Sequence, residues 1–358
     1  MKKKLVGMLA TATLLTMALA GNVQPAEIRS VGPDGEAAVD ASTIELTDDQ
    51  IAQIKEGGYT AAICLHYGGN DWSTSQQKGL EDTFGELGIE IVAVTDANFS
   101  AETQVSNIET VMAKKPDILV SIPTDATATA DAYKQAAAAG IKIVFMDQRA
   151  DGLEAGKDYV SVVSADNYGN GYASGTVLGD ALGGKGKVAM VYYDANFAPT
   201  NQRDEGFRDA MKNYPDIEIV TEQGFTDESG CAEQGDAILT QFPNIDGIYA
   251  SWDVPMEGVL SAVRAAGMEG KVTLACNDLG NNVAREIASG NIAGGGAQMP
   301  YDQGVAEAKL AALALLGEET PSYVAVPAET VTHENVLEAY TDVYHVETPD
   351  WLKEAYVE

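Results

Sequence analysis

The sequence predicts an α/β protein made of two doubly wound, mainly parallel units that follow one another. Three observations predict it. First, short apolar runs alternate with helix-like stretches over most of the 358 residues, the pattern of a parallel sheet with crossover helices. Second, that rhythm completes itself near Ser164 and then begins again. Third, polar and aromatic residues recur immediately after the apolar runs. In open α/β sheets that is where ligands bind, outside the carboxyl ends of the strands. The stretch from Ile141 to Arg149 shows all of this at once. The helix-like run DAYKQAAAAG stops at Gly140, an apolar strand follows, and it ends in Asp147-Gln148-Arg149.

The first twenty residues stand outside this rhythm. Lys2-Lys3-Lys4 is a basic opening, Leu5 to Leu19 is apolar, and Ala18-Leu19-Ala20 offers a small-x-small cleavage site. This is the layout of a secretory signal peptide, so export is expected, to a periplasm or to the outer face of the cell membrane. Leu19-Ala20-Gly21 resembles a lipoprotein cleavage site, but Asn22 stands where that motif requires Cys. A lipid anchor is therefore not expected. Residues 21–45 read as a flexible tether, rich in Gly, Pro, Asp, Glu and Ala and without an apolar period. Thr47 and Gln50 then form a capping box, with Leu46 and Ile51 as a hydrophobic staple.

Five strands are expected in the first unit: Ala61 to Leu65, Ile89 to Val94, Ile118 to Ile122, Ile141 to Met146 and Tyr159 to Ser164. The helices between them are amphipathic, with Leu80, Phe84 and Leu87 on one face of the first and Val105, Ile108 and Met112 on the next. A helix from Asn167 to Leu182 opens the second unit. Its strands are Lys187 to Tyr192, Ile217 to Val220, Gly247 to Ser251, Val272 to Cys276 and Ile292 to Ala297. A long Ala- and Leu-rich helix, Tyr301 to Leu316, comes next, and from Tyr323 the chain reads as strand-like fragments.

Composition removes several function classes. Lys and Arg number 22 against 54 Asp and Glu, a net charge of −32. Nucleic acid needs the opposite balance, and an anionic membrane surface is an equally poor partner. Three cysteines, Cys64, Cys231 and Cys276, show no metal-ligand spacing, and three histidines are scattered, so neither a metal nor a cofactor is expected. Gly169-Asn-Gly171-Tyr-Ala-Ser-Gly175 is too long for a dinucleotide fingerprint and reads as small-residue helix packing. Gly183-Gly184-Lys185-Gly186-Lys187 lacks the phosphate-loop spacing. No nucleophile with its base falls on strand ends, so an enzyme is not expected.

What remains is the set of strand-end residues. His66, Asn70, Asp71 and Trp72 follow the first strand, and Asp147, Gln148 and Arg149 the fourth. In the second unit come Asp194 and Asn196 with Arg203, then Trp252-Asp253, Asn277-Asp278 and Gln298. Amides, carboxylates and Arg make paired hydrogen bonds to neighbouring hydroxyls. Indole faces cover the apolar face of a sugar ring. The set suits a polyhydroxylated ligand better than a phosphate.

Several of these features together resemble a known family. They are the signal peptide, Asp147 after the fourth strand, Asn167 opening the crossover helix, the run Asn201 to Phe207, Asp278 after VTLACN, and Ala297-Gln298-Met299-Pro300. The resemblance, from about Tyr59 to Val326, is to the periplasmic sugar-binding proteins of ABC importers, the ribose-binding type. It implies two Rossmann-like lobes joined by a three-stranded hinge, with the ligand cleft between them. Lobe one would hold residues 46–164 and 299–325, lobe two residues 165–298 and 326–346, with 347–358 a C-terminal tail. It also implies a monomer that captures a small sugar or polyol and delivers it to a membrane permease. A receptor for a sugar-like signal molecule and a nucleoside-binding protein are the alternatives. The family's sugar contacts fall on Asn70, Trp72, Asp147, Arg203, Asp278 and Gln298. Gln148 stands where the family has Arg, with Arg149 one step later, and Trp252, followed by Asp253, stands where ribose binders have Asn. Trp72 and Trp252 would then face each other across the cleft, and His66 would add a polar contact.

Overall fold

The computed structural model describes residues 27–357, so the expected signal peptide and the first residues of the expected tether lie outside it. The chain runs β1 (Val39–Asp40), α1 (Asp48–Gly57), β2 (Thr60–Leu65), α2 (Asp71–Glu86), β3 (Glu90–Asp96), α3 (Ala101–Lys114), β4 (Ile118–Ser121), α4 (Ala130–Ala138), β5 (Lys142–Met146) and β6 (Ser161–Ala165). It continues as α5 (Asn167–Ala181), β7 (Lys185–Tyr193), α6 (Ala198–Met211), β8 (Asp216–Phe225), α7 (Cys231–Gln241), β9 (Gly247–Ala250), α8 (Asp253–Ala265), β10 (Thr273–Cys276), α9 (Asn281–Ala288) and β11 (Gly294–Ala297). Then follow α10 (Pro300–Leu315), β12 (Tyr323–Val326), β13 (Glu329–Thr332), α11 (Val336–Tyr344) and α12 (Asp350–Ala355).

Two sheets result, in the orders β1-β12-β6-β5-β4-β2-β3 and β13-β11-β10-β9-β7-β8. Their five-strand centres share one plan: β3-β2-β4-β5-β6 in the first and β8-β7-β9-β10-β11 in the second. Within both centres every pairing is parallel, and among the described strands β13 alone runs antiparallel, against β11. The chain changes sheet between β6 and α5, between β11 and α10, and between β12 and β13. These three passages form the hinge side of the cleft.

Both faces of each sheet are covered, which is why the strands read as continuous apolar runs. In the first lobe Ile63, Val120 and Val144 pack with Leu80, Phe84 and Leu310 on one face. Cys64, Leu119, Ile143 and Phe145 pack with Tyr133 on the other. All three cysteines are buried and unbridged. The capping box at Thr47 and Gln50 is formed as the sequence implies. Small residues bring α5 and α6 into contact, again as expected. A Cβ on Gly171 would lie 1.8 Å from the Arg203 carbonyl oxygen, and one on Gly206 2.1 Å from that of Tyr168. That contact seats Arg203 at the mouth of the second sheet.

Two expectations need correction. From residue 27 the supposed tether is docked. The Arg29 and Ser30 N–H groups donate to the Asp166 carboxylate at 2.9 and 2.8 Å, and the Arg29 guanidinium lies 3.9 Å over the Tyr172 ring. Further on, Asp34 takes a two-pronged bond from Arg149, both arms 2.7 Å, and β1 extends the first sheet beside β12. The segment thus ties α5 of the second lobe to the edge of the first. Docking through backbone N–H groups and charged side chains leaves no apolar period, which is why the composition misleads. A chain starting at residue 44 should melt at least about 2 °C lower, the shift that about 1 kcal/mol produces in a large domain. Calorimetry giving an unchanged melting temperature would show the strap to be passive. The supposed tail at 347–358 is likewise not separate: α12 buries Leu352 in the core of the second lobe.

Candidate functional site

The two sheets present equivalent aspartates to one gap. After β5 the chain turns at Asp147 with φ +54°, and after β10 it turns at Asp278 with φ +70°. Each aspartate N–H donates 2.8 Å to the neighbouring strand, to the carbonyls of Val163 and Gly296 respectively. Positive φ at a non-glycine residue persists where the surroundings over-determine it, as they do at ligand clamps. Both residues line a cavity between the lobes, a place where small-molecule sites commonly form.

Arg203 links the polar side of this cavity. Its Nε donates to Asn167 Oδ1 at 2.8 Å, and Nη1 donates to Asp278 Oδ2 at 3.1 Å and to the Ser251 carbonyl at 3.3 Å. The other Asp278 oxygen accepts from Gln298 Nε2 at 2.7 Å. Asp147 Oδ1 accepts from Ser164 Oγ at 3.0 Å and from the Ala165 N–H at 3.2 Å. Burial raises the Asp147 pKa, against the pull of Arg203. For Arg203, burial pushes the pKa down, but Asp278 and Asp147 outweigh it and the net shift is upward.

The facing side is aromatic. The His66 ring lies edge-on to Tyr67, Trp72 and Phe99, with centroids 4.7, 5.8 and 5.5 Å away. It also stacks at 5.6 Å on Phe197, which belongs to the other lobe. Tyr193 continues the arc, 6.2 Å from Phe197 and 5.6 Å from Trp252. Three buried polar atoms of cavity-lining residues have no partner among the described residues: His66 Nδ1, Trp72 Nε1 and Gln298 Oε1. Buried polar groups are normally satisfied, so each of these atoms retains hydrogen-bonding capacity.

Burial lowers the His66 pKa from 6.5 to about 3, so its imidazole is neutral. The unfolded chain therefore binds a proton here that the folded chain refuses between those values. This part of the stability is complete above the unfolded value and is lost as pH falls through the window. His66→Phe should therefore lose less thermal stability than the parent between about pH 7 and about pH 4. Parallel losses would mean that His66 titrates normally.

The lobes are closed on one another. Asp71 of the first accepts from the Asn281 N–H and Nδ2 of the second, both at 2.8 Å. Of the residues expected at the site, His66, Asn70, Trp72, Asp147, Arg203, Trp252, Asp278 and Gln298 line the one cavity. Asn70 also caps α2 through Ser73 and donates to the Tyr67 hydroxyl at 2.5 Å. Gln148 and Asp253 do not line it. Gln148 donates to the Pro123 carbonyl at 2.8 Å and accepts from the Ala198 N–H at 3.1 Å, so it joins the lobes instead. Positive φ at Asp147 turns the chain and carries its neighbour aside. Asp253 faces its own helix start, accepting from the Val254 N–H at 2.8 Å and the Gly280 N–H at 3.0 Å. Burial, and next Asp278, push its pKa well up. Arg149 points to Asp34, away from the cleft.

Sequence reasoning missed Tyr67, Phe99, Tyr193 and Phe197. In the loop after β7 it singled out Asp194 and Asn196, yet the aromatic residues on either side line the cavity. A signal was present in the run YYDANF, whose rings sit at the end of a strand and just beyond it.

A model of the periplasmic binding protein domain matches residues 61–319. The D-ribose/D-allose-binding protein of Pseudomonas aeruginosa is 29% identical over 273 residues, covering 73% of this chain and 83% of that protein. The ribose import binding protein of Bacillus subtilis is 27% identical over 213 residues, 59% of this chain and 67% of the other. Among solved structures, a periplasmic solute-binding protein of an ABC transporter from Actinobacillus succinogenes 130z, with bound D-allose, superposes with a TM-score of 0.72 at 29% identity, covering 78% of this chain and 99% of that one. A solute-binding protein from Agrobacterium vitis bound with α-D-tagatopyranose gives 0.74 at 26%, with 82% and 100% covered. With its duplicated parallel sheets, three crossings and a closed cleft between, the chain belongs to the periplasmic binding protein family.

Proposed function

We propose that this protein is an exported receptor that takes one small sugar or polyol between its lobes and delivers it to the permease of an ABC importer. One observation carries the reading. The hydrogen-bonded chain Asn167–Arg203–Asp278–Gln298 faces an arc of aromatic rings across a cavity shared by both lobes. Paired donors and acceptors suit neighbouring hydroxyls, and the rings suit the C–H faces of a pyranose or furanose. The names of the relatives and the bound sugars in the similar structures support the same ligand class. The basic-then-apolar run before Ala20 supports export. In function the protein acts as a monomer.

A melting-temperature screen of the purified protein tests this directly, with D-ribose, D-allose, D-tagatose, myo-inositol and adenosine. A sugar that binds only the closed fold raises the midpoint by mass action. Shifts with adenosine alone would replace the sugar reading by a nucleoside one. Closure is a separate expectation. A ligand touching both lobes favours the closed form through its differential affinity, so small-angle scattering should show a smaller radius of gyration with the sugar. An identical profile at confirmed saturation would describe a rigid receptor.

A further inference from the structure

Asp147 rests on a buried polar cluster that packing alone does not explain. Gln76 of α2 and Gln303 and Glu307 of α10 are each completely buried. Gln76 Nε2 donates to Glu307 Oε1 at 2.6 Å, and Gln303 Nε2 donates to Asp147 Oδ1 at 3.3 Å. Three oxygens are left without a partner among the described residues: Gln76 Oε1, Gln303 Oε1 and Glu307 Oε2. All three are acceptors, so the cluster lacks donors. Turning the Gln303 amide over does not help, because its oxygen would then meet the Asp147 carboxylate. Gln303 and Glu307 stand four residues apart on α10 and so share a helix face.

An ionised Glu307 would be a buried charge with no cation beside it, which is strongly unfavourable. The charged groups bearing on the cluster are Asp147 and, beyond it, Arg203, while the Tyr323 phenol on β12 also feels Asp147. Burial, then the Asp147 charge, hold the Glu307 pKa well above the usual carboxylate range. We propose that Glu307 is a neutral carboxylic acid that donates Oε2–H to Gln303 Oε1, and that it is a positioning residue for the ligand-facing Asp147. The proton supplies the missing donor, satisfies two orphaned oxygens at once, and fixes the Gln303 amide with its nitrogen toward Asp147. The second half of the proposal rests on Asp147 contacting the sugar.

The two halves are tested separately. Infrared difference spectra of the unliganded protein, parent minus Glu307→Gln at neutral pH, should show the loss of a protonated carboxyl C=O band. Loss of a carboxylate band instead would overturn the neutral acid. This arm uses no ligand, so it stands even if no sugar binds. For positioning, titration calorimetry uses whichever of D-ribose and D-allose gives the larger thermal shift. Glu307→Gln keeps a donor and should bind within about three-fold of the parent. Glu307→Leu has none and should bind roughly ten-fold more weakly, the scale of one net hydrogen bond. Gln303→Leu, which removes the middle of the relay, should match Glu307→Leu and serves if the latter does not fold. Equal affinity of the Gln variant and these Leu variants would overturn the positioning role.

Discussion

Arg203→Ala is expected to lower stability by about 3 kcal/mol and to abolish sugar binding. The residue is 5% exposed, and its guanidinium is shared among Asn167, the Ser251 carbonyl and Asp278. Removing one member of a buried ion pair typically costs about 3–5 kcal/mol, because the remaining charge stays buried. Here the remaining charge is Asp278, which already raises the pKa of buried Asp253. The ligand loses a fork-shaped donor as well, so affinity should fall by at least about 100-fold on the scale of a charge-assisted bond plus a displaced Asp278. Guanidinium denaturation and titration calorimetry measure the two effects. Arg203→Lys separates them. A lysine keeps the charge but not the planar fork, so stability should return in part while sugar binding does not. An Ala variant within about 1 kcal/mol of the parent, binding sugar normally, would remove Arg203 from both roles.

Some of this could be read from the chain and some could not, for physical reasons. Strands buried on both faces are mainly apolar, so β2, β4 and β5 stand out as runs such as Ile118-Leu119-Val120. The doubly wound plan then places Asp147, Asp278 and Gln298 at one edge before any coordinates are known. Which of two adjacent polar residues faces the cleft is another matter. Asp147 and Gln148 part company because of one positive φ, and an isolated backbone turn leaves no mark in the hydrophobic pattern. Asp253 is similar: as the first residue of α8 it accepts the Gly280 N–H from a distant loop. Phe99 and Phe197 lie in loops, where neither helical nor strand periodicity operates. Residues 336–343 do carry a helical pattern, with Val336, Ala339, Tyr340 and Val343 buried on one face. The Thr- and Pro-containing stretch before them reads as strand and obscures it.

Trp252→Asn is expected to cost about 3 kcal/mol of stability and most of the ligand affinity. Trp252 is 7% exposed, wedged 5.6 Å from Tyr193 and 5.1 Å from Phe225, with Nε1 donating to Glu228 Oε1 at 2.8 Å. Truncating a buried indole leaves a void, and such changes cost about 3–5 kcal/mol. Glu228 would also lose the bond that opposes the burial-driven rise of its pKa. Trp252→Phe tells the causes apart. It keeps a ring in the wall but loses the bond to Glu228, so it should cost only about 1 kcal/mol and retain sugar binding. Fluorescence supplies the independent reading. Trp72 and Trp252 line the cavity from opposite lobes, whereas Trp351 packs on Tyr340 and beneath Arg285. Sugar should therefore change the emission of Trp351→Phe as it does the parent's, and change that of Trp252→Phe less. If the emission change survives in Trp252→Phe and vanishes in Trp351→Phe, the ligand does not lie against Trp252, and the aromatic wall has been assigned to the wrong cleft.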